Sequence, residues 1–208
     1  MDVAVVVLGI AGQALVHRKV TGSGRLAWIT TGSLFALLVP LILLGDQVHL
    51  SFTTGALLSG AAAGLAFFVV VQLALGVLSR WPRFAEDVRS LYRDRGTLPL
   101  AVELGVGGLV AAGEELFWRG LTVIVLTPSL GTSGAAAASL LLSVGTYAFS
   151  RSLAVLAGAV VGGSLWSALA LWSPGGLATA VGCHVTWTML MVAFEPPAEL
   201  SSAAEGRR

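Results

Sequence analysis

Residues 98–128 read LPLAVELGVGGLVAAGEELFWRGLTVIVLTP, an almost unbroken apolar stretch with two adjacent carboxylates and an arginine at its centre. A helix needs about 20 mostly apolar residues to cross a bilayer, and this stretch has room for that and for tilt or a break. The composition around it agrees. Of 208 residues, 56% are hydrophobic and only 11% are charged, whereas soluble domains carry about 25% charged residues. Mean hydropathy is +0.87. Polar residues are too few to coat a globule, so lipid is the expected solvent. The net charge of +1 carries no message about nucleic acid or acidic partners.

Working outward, about seven apolar segments can be marked, at 3–16, 27–45, 53–78, 98–128, 133–149, 153–172 and 175–194. The fourth is long enough to be tilted or broken near Gly113 or Gly120. The fold class expected is an all-α, polytopic transmembrane helical bundle, a single domain over 1–194 with a polar tail over 195–208. At the N-terminus, MDVAVVVLGIAGQALVHRK has its basic residues after the apolar run and Asp2 before it, unlike a secretory leader. It reads as a retained first membrane helix. Glycine is abundant, 26 in all, and runs such as GAAAG at 60–64 let helix backbones approach closely where no hydrophobic effect drives association.

The basic residues set an orientation. Arg18, Lys19 and Arg25 follow the first segment, Arg80, Arg83, Arg89, Arg93 and Arg95 follow the third, Arg151 follows the fifth, and Arg207 and Arg208 end the chain. The alternate connections, GDQVHLS, TPSLGTSG and WSPGG, carry no Lys or Arg. Eleven of twelve basic residues therefore fall on one side, which the positive-inside rule makes cytoplasmic. The expected setting is the bacterial cytoplasmic membrane, N-terminus outside and C-terminus inside. The connection 79–97 places Trp81, Phe84, Val88, Leu91 and Tyr92 at helical spacing among five arginines and three acids. That is the pattern of an amphipathic helix on the membrane surface, either a connector held by anionic lipid or a lid over a substrate.

The twelfth basic residue is Arg119. Ionisable side chains at bilayer depth cost about 2.5–3.5 kcal/mol each on insertion scales and mark functional sites. Glu115 and Arg119 are four apart with the acid first, the favourable order for an ion pair. Glu114 points about 100° away on a helix and has no local partner, so it is expected to stay free as a general base. The bland reading is an ion pair that only fixes helix packing. Glu103 shares that face three turns earlier and is expected at the interface. His17 and His49 sit at segment boundaries, but His184, in VGCHVTWTM, lies within the seventh segment at the expected depth of the glutamates. Thr188 follows one turn later and could orient the ring. The single cysteine, Cys183, excludes an intrachain disulfide and reads as a buried thiol.

The run Glu114-Glu115-Leu116-Phe117-Trp118-Arg119-Gly120 resembles the first signature of the CPBP family, the CAAX-protease and bacteriocin-processing intramembrane endopeptidases. His184 followed by Thr188 is similar to the family's third motif, with threonine in the usual asparagine place, and 157–184 resembles its glycine-containing helix, turn and final helix. The resemblance covers about 98–190. It implies a peptidase in which Glu114 activates a water, Glu115 is held by Arg119, and His184, supported by Thr188, orients the water or polarises the carbonyl. The second motif's histidine is missing; Thr146, Tyr147 or Arg151 takes its place. A zinc site would then need Glu114 or Glu115 as ligands beside His184, and a carboxylate bound to metal is lost as base. A mechanism without metal or other cofactor is the expectation. The implied substrates are membrane-associated peptides or proteins, such as lipidated C-terminal tails, bacteriocin leaders or C-terminal sorting tails. The alternative is a catalytically inactive member acting as scaffold, immunity or partner-binding protein. A proton-coupled transporter ranks third, since no internal repeat is visible.

Overall fold

The computed structural model describes residues 3–19, 52–92 and 98–194, with no side-chain description for 16–19. The expected segment at 27–45, His49, the His17 side chain and the tail at 195–208 lie outside what is described. The described residues are all helical or turn: α1 Val3–Lys19, α2 Thr54–Leu78, α3 Pro82–Tyr92, α4 Leu100–Glu115, a π-helical segment Leu116–Thr122, α5 Val123–Ala148, α6 Leu153–Trp172 and α7 Gly176–Ala193. The chain is an all-α helical membrane bundle.

Four stretches are long and apolar enough to cross a membrane: Thr54–Leu78, Leu100–Ala148, Leu153–Trp172 and Gly176–Ala193. The second is far too long for one crossing, and it does not run straight. Gly131, with φ +67° and ψ 166°, breaks the helical path within α5, a conformation that suits glycine because it has no Cβ. The arms fold back on each other, so that Ser139 Oγ donates to the Trp118 carbonyl at 2.5 Å. The TPSLGTSG connection expected between two spans is this bend. The break envisaged near Gly113 or Gly120 is corrected: α4 passes Gly113 as regular helix, and Gly120 lies inside the π-helical segment. Such wider turns, closed by i→i+5 bonds, concentrate at functional sites.

Burial is inverted relative to a soluble protein. Leu8, Leu58, Leu73 and Leu141 are exposed, whereas Gln13, Glu115 and Thr122 are wholly buried. In lipid, close backbone approach and interhelical polar contacts hold helices together. The α2–α7 pair shows this directly. A Cβ on Gly60 would run into the Thr179 carbonyl oxygen, and one on Gly64 would lie 2.5 Å from the Cys183 carbonyl oxygen. The GAAAG run thus seats α2 against the turn of α7 that carries His184.

The amphipathic connector is helical, as its spacing predicts. Phe84, Ala85 and Val88 of α3 are buried with Leu75, while Trp81 and Leu91 face outward. Asp87 Oδ2 accepts the Leu153 amide at 2.5 Å, capping the start of α6, and the Tyr92 hydroxyl donates to the Met191 carbonyl near the end of α7 at 3.4 Å. These bonds attach α3 to the bundle and bring the end of α2, the start of α6 and the end of α7 to one face. Arg80, Arg83, Arg89 and Arg151 therefore share an end of the bundle. At the opposite end, a Cβ on Gly175 in the α6–α7 turn would meet the start of α2 at Ala56. The alternation of charge read from the sequence is a spatial one among the described residues. The helix α1 packs against α5 and the π-helical segment, Gly9 meeting the Phe117 ring, and Gln13 meets Glu114 at the end of α4. It therefore runs antiparallel to α4.

Candidate active site

Four helices and the π-helical segment bring polar side chains to one buried cluster. Glu114 and Glu115 close α4, Arg119 lies in the π-helical segment, Tyr147 ends α5, His184 comes from the middle of α7, and Gln13 reaches in from α1. Exposure is 7% for Glu114, 0% for Glu115, 9% for Arg119 and 4% for His184. Buried charges persist only when paired and hydrogen-bonded, and each of these is.

Glu115 is the hub. Its Oε1 accepts from Arg119 Nη1 at 3.0 Å and lies 2.8 Å from His184 Nδ1. The guanidinium is fixed on its other edges as well, with Nη2 donating to the Gly163 carbonyl at 3.0 Å and Nε to Ser167 Oγ at 3.3 Å. A Cβ on Gly163 would come within 3.0 Å of Nη2, so α6 needs glycine there to admit the arginine. Trp166, three residues further along α6, stacks on His184 with ring centroids 3.5 Å apart and lies 5.6 Å beneath the guanidinium carbon. One indole thus contacts both the imidazole and the guanidinium. Arg119 and Ser167 also line a cavity of about 130 Å³ together with Val123, Thr132, Ala136, Ala170 and Leu171.

The expectation that Glu114 stays free is corrected. Its Oε1 accepts from Gln13 Nε2 at 3.2 Å and from the Tyr147 hydroxyl. Its Oε2 faces His184 Nε2 at 3.8 Å. Helix geometry had placed Glu114 away from Glu115's partner; partners from other helices were invisible to that argument. Of the three positions considered for the missing histidine, Tyr147 is the one that reaches Glu114. Thr146 is buried with its hydroxyl on the Ser143 carbonyl, and Arg151 is exposed in the turn with φ +57°. Thr188 is buried on α7, and no hydrogen bond from it to His184 occurs among the described residues. Cys183 is fully buried. Glu103 stands apart in the first turn of α4, accepting the Leu98 amide at 3.4 Å. Gln13 was passed over in the sequence, although an amide in the otherwise apolar run VAVVVLGIAGQAL was a visible signal.

Glu115 Oε1 is committed to Arg119 and His184, His184 Nε2 and Glu114 Oε2 face each other, and Glu115 Oε2 is buried without a hydrogen-bond partner among the described residues. A catalytic zinc takes three protein ligands, and no group of three or more His, Cys, Asp or Glu is arranged to hold one among the described residues.

Residues 97–190 match a family model described as type II CAAX prenyl endopeptidase Rce1-like. No curated protein and no solved structure matches the chain. The matched stretch runs from the connection before α4 into α7, and it contains Glu114, Glu115, Arg119, Tyr147 and His184. Over this segment, somewhat under half of the chain, the protein is similar to the Rce1-like CAAX-protease family, and its apolar helices make it an integral membrane protein.

Proposed function

We propose that this protein is an active intramembrane endopeptidase that hydrolyses a peptide bond in a membrane-associated substrate by glutamate-activated water. The observation that carries the reading is the facing pair Glu114 Oε2 and His184 Nε2, 3.8 Å apart in a buried site. A gap above hydrogen-bond length between two polar atoms invites a bridging water. A carboxylate can only accept, so the short contact at Glu115 puts the His184 proton on Nδ1. In the neutral ring, Nε2 then offers a lone pair. One water can donate to Nε2 and to Glu114 Oε2 and turn its oxygen toward a scissile carbonyl carbon. Glu114 takes the proton as that oxygen attacks, and returns it to the leaving amine when the C–N bond breaks. Glu115, itself fixed by Arg119, holds the imidazole. Exclusion of bulk water by the surrounding helices strengthens each of these contacts.

The substrate class that suits such a site is a peptide presented from the membrane: a lipidated C-terminal tail, a bacteriocin leader or a sorting tail. By the charge distribution the protein sits in a bacterial cytoplasmic membrane, with the Arg80–Arg89 and Arg151 end facing the cytoplasm. The test is a cleavage assay in liposomes, presenting one peptide of each class to wild type and Glu114→Gln. Cleavage by wild type alone supports the proposal. A second reading is an inactive member that binds partners, favoured because no histidine stands between His49 and His184 to complete the second motif. Absence of cleavage of all three classes by a well-folded wild type would favour that one.

A further inference from the structure

The matched segment begins at residue 97, yet the site is completed by a side chain from α1. Gln13 is wholly buried, and its Nε2 donates to Glu114 Oε1 at 3.2 Å. The Tyr147 hydroxyl, from the end of α5, donates to the same oxygen. Both known donors to Glu114 thus converge on Oε1, and the other oxygen, Oε2, is the one turned toward His184 Nε2. We propose that Gln13 and Tyr147 are positioning residues that clamp Glu114 Oε1, so that Oε2 alone serves as the proton acceptor. This rests on the peptidase reading above and extends the active site to a helix outside the family segment.

The physical case is one of rotation. A glutamate on an α-helix has several rotamers and a carboxylate that turns freely about its last bond. A base must lie within hydrogen-bond reach of the water it deprotonates. Two donors from neighbouring helices, one an amide and one a phenol, remove that freedom at one oxygen. Gln13 is well suited to a site in lipid, because it brings a donor without adding charge. Its place in α1 is fixed by the packing one turn earlier, where Gly9 meets the Phe117 ring. The tyrosine brings its donor from the end of α5.

The experiment uses the full chain in liposomes, with Gln13→Leu and Tyr147→Phe, each close in volume to the residue it replaces. Two quantities are read: steady-state cleavage, split into kcat and KM, and the Glu114 carboxyl band, isolated as the infrared difference between wild type and Glu114→Gln. The expected result is a fall in kcat of roughly tenfold to hundredfold in each variant, the scale of a misplaced catalytic group, with KM unchanged and the carboxyl band displaced. Wild-type kcat in both variants, or an undisplaced band, would overturn the clamp while leaving the peptidase reading intact. A loss of thermal stability with kcat preserved would also overturn it, by showing a purely structural role. A wild type that cleaves nothing would remove the peptidase reading, and the positioning role with it.

Discussion

His184 Nδ1 and Arg119 Nη1 share one acceptor, Glu115 Oε1, at 2.8 and 3.0 Å. The two glutamates that are neighbours in sequence therefore have different tasks in space. Glu115 faces the arginine and orders the histidine ring, and Glu114 faces the histidine's other nitrogen. Adjacent residues on a helix diverge by about 100°, which allows one to be a strut while the other meets a reactant.

The strut should be costly to break. Glu115→Gln or Arg119→Leu leaves a buried charge without its partner, a loss of about 3–5 kcal/mol. Each single variant should unfold at lower temperature in detergent or accumulate poorly, and the double variant should recover part of the loss. Wild-type Tm in both singles would show that the pair contributes nothing.

The close approach of α2 and α7 predicts a second asymmetry. Gly60→Ala puts a methyl group against the Thr179 carbonyl, and backbone cannot move aside as a side chain can. Overpacking of this kind costs about 1–3 kcal/mol. Gly55→Ala and Gly76→Ala, in the same helix with nothing within 4 Å of a new Cβ, should leave Tm unchanged or slightly raised. Equal effects at all three positions would argue against the α2–α7 contact.

Chelation separates two mechanisms. With His184 Nε2 and Glu114 Oε2 as the facing donors, cleavage should persist in phenanthroline and fall at least about hundredfold in Glu114→Gln. Stoichiometric zinc in the purified protein, with activity lost to chelator and restored by zinc, would replace the metal-free mechanism and leave the peptidase reading standing.

Orientation can be read with reporters. A periplasmic phosphatase fused after Arg208 should be inactive, and a reporter that works only in the cytoplasm should be active there. The same phosphatase inserted at Thr132, next to the Gly131 bend, should be active. The reverse pattern would invert the membrane orientation proposed from Arg80, Arg83, Arg89 and Arg151.

The membrane class, most of the described helices and the Glu115–Arg119 ion pair were legible in the sequence, because each depends on local properties. Hydropathy needs only a window, an i,i+4 ion pair needs only helical spacing, and charge alternation needs only the order of segments. The surface helix α3 was legible for the same reason, since Phe84 and Val88 recur at helical period. The partners of Glu114 were not legible. Gln13 is 101 residues away and Tyr147 is 33, and no local rule says which turn of α1 or α5 will meet α4. That depends on where backbones can approach: Gly9 under Phe117, Gly60 and Gly64 against α7, Gly163 beside Arg119. It depends also on the bend at Gly131 and the π-helical turn, which fold the arms of one long apolar stretch onto each other. Local composition determined that these charges lie in a membrane; only the packing of distant helices decided which oxygen of Glu114 is held and which faces His184.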